Sequence, residues 1–167
     1  MTSSPTQSTV RAPDLARGPL LPFLVIGTAC VIAGGLVAAA TAPNPSEHGS
    51  WAAAYLVLVA GVAQIGLGAG QAMLGGRASQ RTVLAEIAGW NLGNAAVLAG
   101  TLAGVGFVVD LGGAALLVVL VLLLRGALTS GATPSDGGRW LMRGYCALLV
   151  LLIASIPVGL VLERIQH

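Results

Sequence analysis

Five long apolar stretches divide this chain, and the short polar segments around them alternate in charge. In order the segments hold Arg11 and Arg17; Glu47 and His48; Arg77 and Arg81; Asp110; Arg125, Arg139 and Arg143; and Glu163 and Arg164. Seven of the eight basic residues therefore fall in alternate segments. Positive side chains are retained on the cytoplasmic face during insertion, so the alternation predicts both the number of crossings and their direction. The expected fold is an all-α membrane protein, a bundle of five transmembrane helices with the N-terminus inside and the C-terminus outside.

Composition points the same way. The chain is 56% hydrophobic and 8% charged, against roughly 25% charged residues in soluble domains. At 167 residues it suits one domain, and five spans of about 20 residues account for most of it. The expected boundaries are a disordered cytoplasmic tail at 1–18, a transmembrane domain at 19–162, and a short external tail at 163–167. Within the domain the spans are placed near 19–41, 51–74, 82–105, 110–128 and 140–162. Ala40-Thr41-Ala42 has the small-x-small form of a signal-peptidase site. The apolar run is longer than a signal core, however, and Pro43 would follow the scissile bond, so an uncleaved anchor is expected. The net charge of +2 is made by arginine without lysine and is spent on topology. The bilayer, with its anionic headgroups, is therefore the expected partner and nucleic acid is not. An Ala, Gly and Arg bias without lysine is what a GC-rich bacterial genome encodes, which places the protein in a bacterial plasma membrane.

The second and third spans hold most of the glycine and nearly all the intramembrane amides. Val57, Gly61, Gln64, Gly68 and Gln71 are spaced four, three, four and three residues apart, the interval of a heptad seam. Glu86, Trp90, Asn94, Val97 and Thr101 offer a second series. Antiparallel pairing would set Gln71 against Glu86, Gly68 against Trp90, Gln64 against Asn94, and Gly61 against Val97. Such a register gives each polar group a polar partner, which matters because an unpaired amide in hydrocarbon costs several kcal/mol. Gly61, Gly68, Gly89 and Gly93 are the candidate packing positions, since small residues let helix backbones approach.

Glu86 is the carboxylate placed inside a span. It is read either as a proton or cation carrier or as one half of a headgroup-level ion pair with Arg125 or Arg143, and the ion pair is preferred. Trp90 is read as a packing element over Gly68. Asn91 lies off the stripe and should face another helix. Asp110 opens the fourth helix and is expected to cap it, as Ser50 caps the second. Trp51 is an interfacial anchor. Pro157 should kink the last helix, with Ser155 bonding a nearby carbonyl. The fourth span, only Ala, Leu and Val from Ala114 to Leu124, is expected to face lipid around much of its circumference.

Some chemistry is not encoded. His48 and His167 are the histidines, and neither lies in a span, so axial haem ligands and imidazole copper ligands are not expected. No metal site or cofactor is expected. Cys30 and Cys146 sit at unequal depths in the first and fifth spans and read as small apolar fillers. No nucleophile and base pairing, phosphate loop or zinc-protease motif occurs, and the chain is not expected to be an enzyme.

The run from His48 through Trp51, Tyr55 and Gly61, with Gln64 and Gln71, followed by Gly89-Trp90-Asn91-Leu92-Gly93-Asn94, resembles helix pairs in actinobacterial relatives of haem-copper oxidase subunit I. In that family helix-borne histidines bind haem and copper. Tyr55 or Gln64 stands at the corresponding places here, so the resemblance implies a respiratory or stress-related membrane protein without the family's cofactors.

These readings lead to a small non-enzymatic bundle acting as an accessory or assembly subunit of a membrane complex, or as a homo-oligomer. The alternative is a small transporter or channel using Gln64, Gln71, Glu86 and Asn94. A redox-associated subunit comes third. The seam implies that Gly68→Leu forces two helices apart against Trp90, and that Val119→Leu on a lipid face is nearly silent.

Overall fold

The computed structural model describes residues 20–73, 79–129 and 136–165, nearly all of them helical. Expectations for the 1–18 tail, for Arg77, for the link at 130–135 and for the side chains of Arg139, Glu163 and Arg164 lie outside the described residues. Helix α1 is Leu20–Thr41. Helices α2 (Glu47–Tyr55) and α3 (Gln64–Met73) are joined by a π-helical stretch, Leu56–Ala63, and the three form one rod. Helix α4 is Gln80–Ala103, α5 is Gly106–Thr129 and α6 is Asp136–Ile165. The described chain is thus an all-helical bundle of five rods.

Local chemistry sets the ends. Pro22 lies in the first turn of α1, where a missing N–H costs nothing. The rod's cap is Ser46, whose hydroxyl accepts from the Gly49 N–H at 3.1 Å. It is not Ser50, which already donates its own N–H to the Ser46 carbonyl at 3.0 Å. Glu47 consequently falls in the first turn, where the helix dipole favours a negative charge. Ser79 caps α4 by accepting from the Thr82 N–H at 3.2 Å.

At the other end of α4, Gly104 adopts φ 67°, ψ 27°. Its N–H bonds to the Thr101 carbonyl at 3.3 Å, and the Val105 N–H bonds to that of Gly100 at 2.8 Å, which is the Schellman pattern. Helix α5 starts at once, because the Val105 carbonyl accepts from Val108 at 3.0 Å and Val109 at 3.4 Å. Asp110 therefore lies a turn inside α5 rather than at its cap. Gly104→Ala puts a side chain in the left-handed region, and a loss of about 1–2 kcal/mol is expected in chemical denaturation, with the fold retained. Pro157 is accommodated within α6, and the Ser155 hydroxyl donates to the Leu152 carbonyl at 2.9 Å.

Glycine decides which rods pair. A Cβ on Gly27 of α1 would stand 2.9 Å from the Gly61 carbonyl oxygen, and one on Gly61 would stand 3.0 Å from that of Gly27. The crossing of α1 with the second rod is thus a reciprocal glycine contact. Gly34 extends it against Ala53 and Val57, and Gly68 extends it against the Phe23 ring. The same device recurs between α4 and α5. A Cβ on Gly93 would meet the Gly112 carbonyl oxygen at 3.2 Å, and one on Gly112 would meet that of Gly93 at 2.8 Å. Gly89 lies under Val119, and Gly100 under Val109.

The bundle therefore consists of two glycine-locked hairpins, α1 with the second rod and α4 with α5, with α6 packed against both α3 and α5. This corrects the expected seam. Gly61 and Gly68 face α1 and not the third rod, and Gly68 lies against Phe23 and not Trp90. Helix α5 does expose an apolar face, with Phe107, Leu111, Val118, Leu122 and Leu128 on it, but Val119 is not part of that face: it is buried on one stripe with Val109, Leu116, Leu120, Leu123 and Ala127. Val119→Leu is accordingly expected to destabilise the bundle, because the larger side chain meets the Gly89 backbone.

Antiparallel contacts fix which ends lie together. Gly70 against Tyr145 and Gly66 against Leu148 set α6 antiparallel to α3. Exposed Arg81, Arg125 and Arg143 thereby gather at one end of the bundle, while Glu47, His48 and Asp110 lie toward the other. Among the described residues three helical segments, Leu20–Thr41, Glu47–Ala72 and Gly106–Thr129, are long and apolar enough to cross a membrane, and Met142–Pro157 is a shorter apolar helix. The outer surface suits that setting, with Ile32, Leu36, Leu58, Leu92 and Leu151 exposed.

Candidate functional site: a polar file between two hairpins

Where the two hairpins face each other, the buried surface turns polar. Gln64, Gln71, Glu86 and Asn94 are the buried polar or charged side chains among the described residues. All four belong to the second rod or to α4.

At the arginine end, Gln71 Nε2 donates to Glu86 Oε2. Helix α4 starts at Gln80 rather than near Thr82, so Glu86 lies about 9 Å along it at 1.5 Å per residue. Glu86 is buried, 7% exposed, whereas Arg125 and Arg143 are exposed. Among the described residues its hydrogen-bond partner is the amide of Gln71, in place of the expected ion pair with either arginine. The Tyr145 ring lies against Gly70, one residue from Gln71. It joins the site from α6, a contribution that the sequence reading did not include.

Toward the other end, the Tyr55 hydroxyl donates to Asn94 Oδ1 at 2.8 Å. The Asn94 amide donates in turn to the Trp90 carbonyl at 2.8 Å. Trp51 stacks on Tyr55 with ring centroids 5.1 Å apart and helps to hold the phenol in place. The expected Gln64–Asn94 pairing gives way to Tyr55–Asn94. Asn91 bonds within its own helix, to the Ile87 carbonyl at 2.8 Å.

Between the two bonded pairs lies Gln64, with 0% exposure and neither Oε1 nor Nε2 hydrogen-bonded. Trp90, 1% exposed, packs in a core with Ile87, Leu116 and Leu120, and its Nε1 has no partner. Gln71 Oε1 and the Tyr145 hydroxyl are likewise buried and unpartnered. Each unsatisfied group costs about 1–3 kcal/mol, so natural structures hold few of them and those usually serve a purpose.

The π-helical stretch makes this arrangement possible. Sixteen residues separate Tyr55 from Gln71, and at 100° per residue an unbroken α-helix would set them about 160° apart, on nearly opposite faces. Both nevertheless bond to α4. A π turn takes in an extra residue, and each one rotates the following positions by about 100° relative to a straight α-helix. Leu56–Ala63 thereby turns Tyr55 toward the side on which Gln71 lies.

Cys30 and Cys146 are free thiols. Among the described residues no three His, Cys, Asp or Glu side chains come together as a metal site would require.

Fold and site together define a helical bundle, with helices long and apolar enough to cross a membrane and a buried polar file between two hairpins. No family model matches the chain, and neither does any curated protein or solved structure.

Proposed function

We propose that the protein is a small, non-enzymatic transporter or channel that passes a small hydrogen-bonding species along the file between its hairpins. All five rods cross a bacterial plasma membrane in this reading, with the N-terminus inside and the C-terminus outside. The gathering of Arg81, Arg125 and Arg143 at one end supports that orientation under the positive-inside bias. The observation that carries the function is Gln64. An amide buried midway along the bundle with both polar atoms unpartnered contributes nothing to folding that a leucine would not, whereas a passing solute or water gives it partners. The accessory-subunit role needs no such residue, since a partner subunit docks on the outer surface.

Gln64→Leu tests this. Replacing an unpartnered buried amide by an apolar group of similar size is neutral or stabilising, so the variant's melting temperature in detergent should hold or rise. Flux through proteoliposomes of protons, monovalent cations and small neutral solutes should be present for the wild type and lost for the variant. Wild-type proteoliposomes as tight as protein-free ones toward every species would overturn the reading, and a defined co-purifying subunit would then favour the accessory role.

A further inference from the structure

Resting on that reading, we infer that the species carried is the proton, moved along a short chain of waters between Glu86 and the Tyr55–Asn94 pair. The donor and acceptor inventory selects it. Unpartnered and buried are two acceptors, Gln64 Oε1 and Gln71 Oε1; two donors, Gln64 Nε2 and Trp90 Nε1; and the Tyr145 hydroxyl, which does either. Such a mixture suits water, which donates and accepts twice over. A cation would leave the donors unserved, and an anion would leave the acceptors unserved and meet Glu86. At the usual three or so bonds per buried water, five such atoms hold about two waters.

Spacing along the bundle fits a chain. Counted from the level of Glu86, Trp90 stands about 6 Å farther along, Gln64 about 10 Å and Asn94 about 12 Å. Polar groups therefore recur at intervals that one or two waters span. The amides and the indole hold the waters in place. Relay falls to the waters themselves and to the Tyr55 and Tyr145 hydroxyls, which both donate and accept. Glu86 is the one buried carboxylate among the described residues and takes the proton at the arginine end. Its carboxylate accepts a proton from the adjoining water and releases it toward the solvent at that end; the water regains one from its neighbour, and the deficit passes to the part-buried Tyr55 hydroxyl, which takes up a proton from the solvent at the opposite end. One proton crosses per cycle and every group returns to its starting state.

The test uses the full chain in liposomes of neutral and anionic phospholipid, with a potassium gradient and valinomycin to supply a potential and a trapped pH dye to read proton entry. Wild type should acidify the lumen, and Glu86→Gln should reduce that to the protein-free level. Glu86→Asp should restore part of it. A Glu86→Gln protein that keeps its helicity and melting temperature yet conducts protons like wild type would overturn the inference. So would wild-type liposomes that pass a neutral solute but no protons, which leaves the broader reading standing; no flux of any species overturns both. A readout independent of transport is solid-state NMR of indole-15N tryptophan in lipid. The Trp90 N–H should show magnetisation transfer from water despite its burial, and a dry Trp90 would overturn the inference.

Discussion

Gly61→Leu is expected to abolish the folded bundle, with no cooperative melting in detergent and with protein recovered as aggregate. Position 61 is where the second rod crosses α1, and even a Cβ there would stand 2.6 Å from Val31 Cγ2 as well as 3.0 Å from the Gly27 carbonyl oxygen. Overpacking by extra methylenes usually costs about 1–3 kcal/mol because side chains can shift. Here one obstacle is the backbone of a neighbouring helix, and relief requires the helices to part along their length. Separation would also uncover Gly27, Gly34 and Gly68 together. Gly35→Leu is the control. It lies one residue from Gly34 on the same helix, with nothing within 4 Å of the added Cβ, and should melt like wild type. Equal behaviour of the two variants would refute the glycine-locked hairpin.

Deleting Val62 is expected to be nearly as disruptive, although its side chain is 52% exposed and Val62→Ala should be silent. The deletion removes one residue from the π-helical stretch and rotates everything before it by about 100° relative to α3. Tyr55 then leaves Asn94, the Tyr55 hydroxyl and Asn94 Oδ1 lose their bond, and Ala53 turns away from Gly34. Tyr55→Phe loses only the bond, a cost of about 1–3 kcal/mol for the unsatisfied acceptor. The deletion should therefore lower the melting temperature well beyond Tyr55→Phe, and a deletion variant as stable as Val62→Ala would show that the stretch sets no register.

Much of the bundle could be read from the sequence because length and hydropathy are properties of single segments. Five apolar stretches give five rods, with α1 and α4 starting within two residues of the expected positions and the second, fourth and fifth rods each starting four residues earlier. The first two of those shifts have a visible cause. Turn-forming residues, Glu47-His48-Gly49 and Gly106, are drawn into helices by the Ser46 cap and the Val105 carbonyl. Pairing was less legible. Glycine in a span signals close approach without naming the neighbour, so Gly68 fits Phe23 or Trp90 equally well on paper. In α5 an all-apolar sequence offers no contrast between its faces, and the buried stripe through Leu116, Leu120 and Leu123 had no signature. The heptad reading of the second rod assumed an unbroken α-helix, which the π-helical stretch is not. Gln71 and Glu86 were placed together by register, and the structure does bring them into contact. Tyr145 was missed because nothing in the periodicity of α6 distinguishes it from its apolar neighbours. Its phenol, set among Leu148, Leu149 and Ile153, was the available clue.

A continuous polar file requires one rod to present Tyr55, Gln64 and Gln71 to the same partner helix. Carbon–carbon distances measured by solid-state NMR in lipid, between Tyr55 Cζ and Asn94 Cγ and between Gln71 Cδ and Glu86 Cδ, test this within a single labelled sample. Both pairs are predicted to fall within hydrogen-bonding range. Contact at Gln71–Glu86 with Tyr55 remote from Asn94 would mean that the rod is an ordinary α-helix, with no continuous polar file between the hairpins.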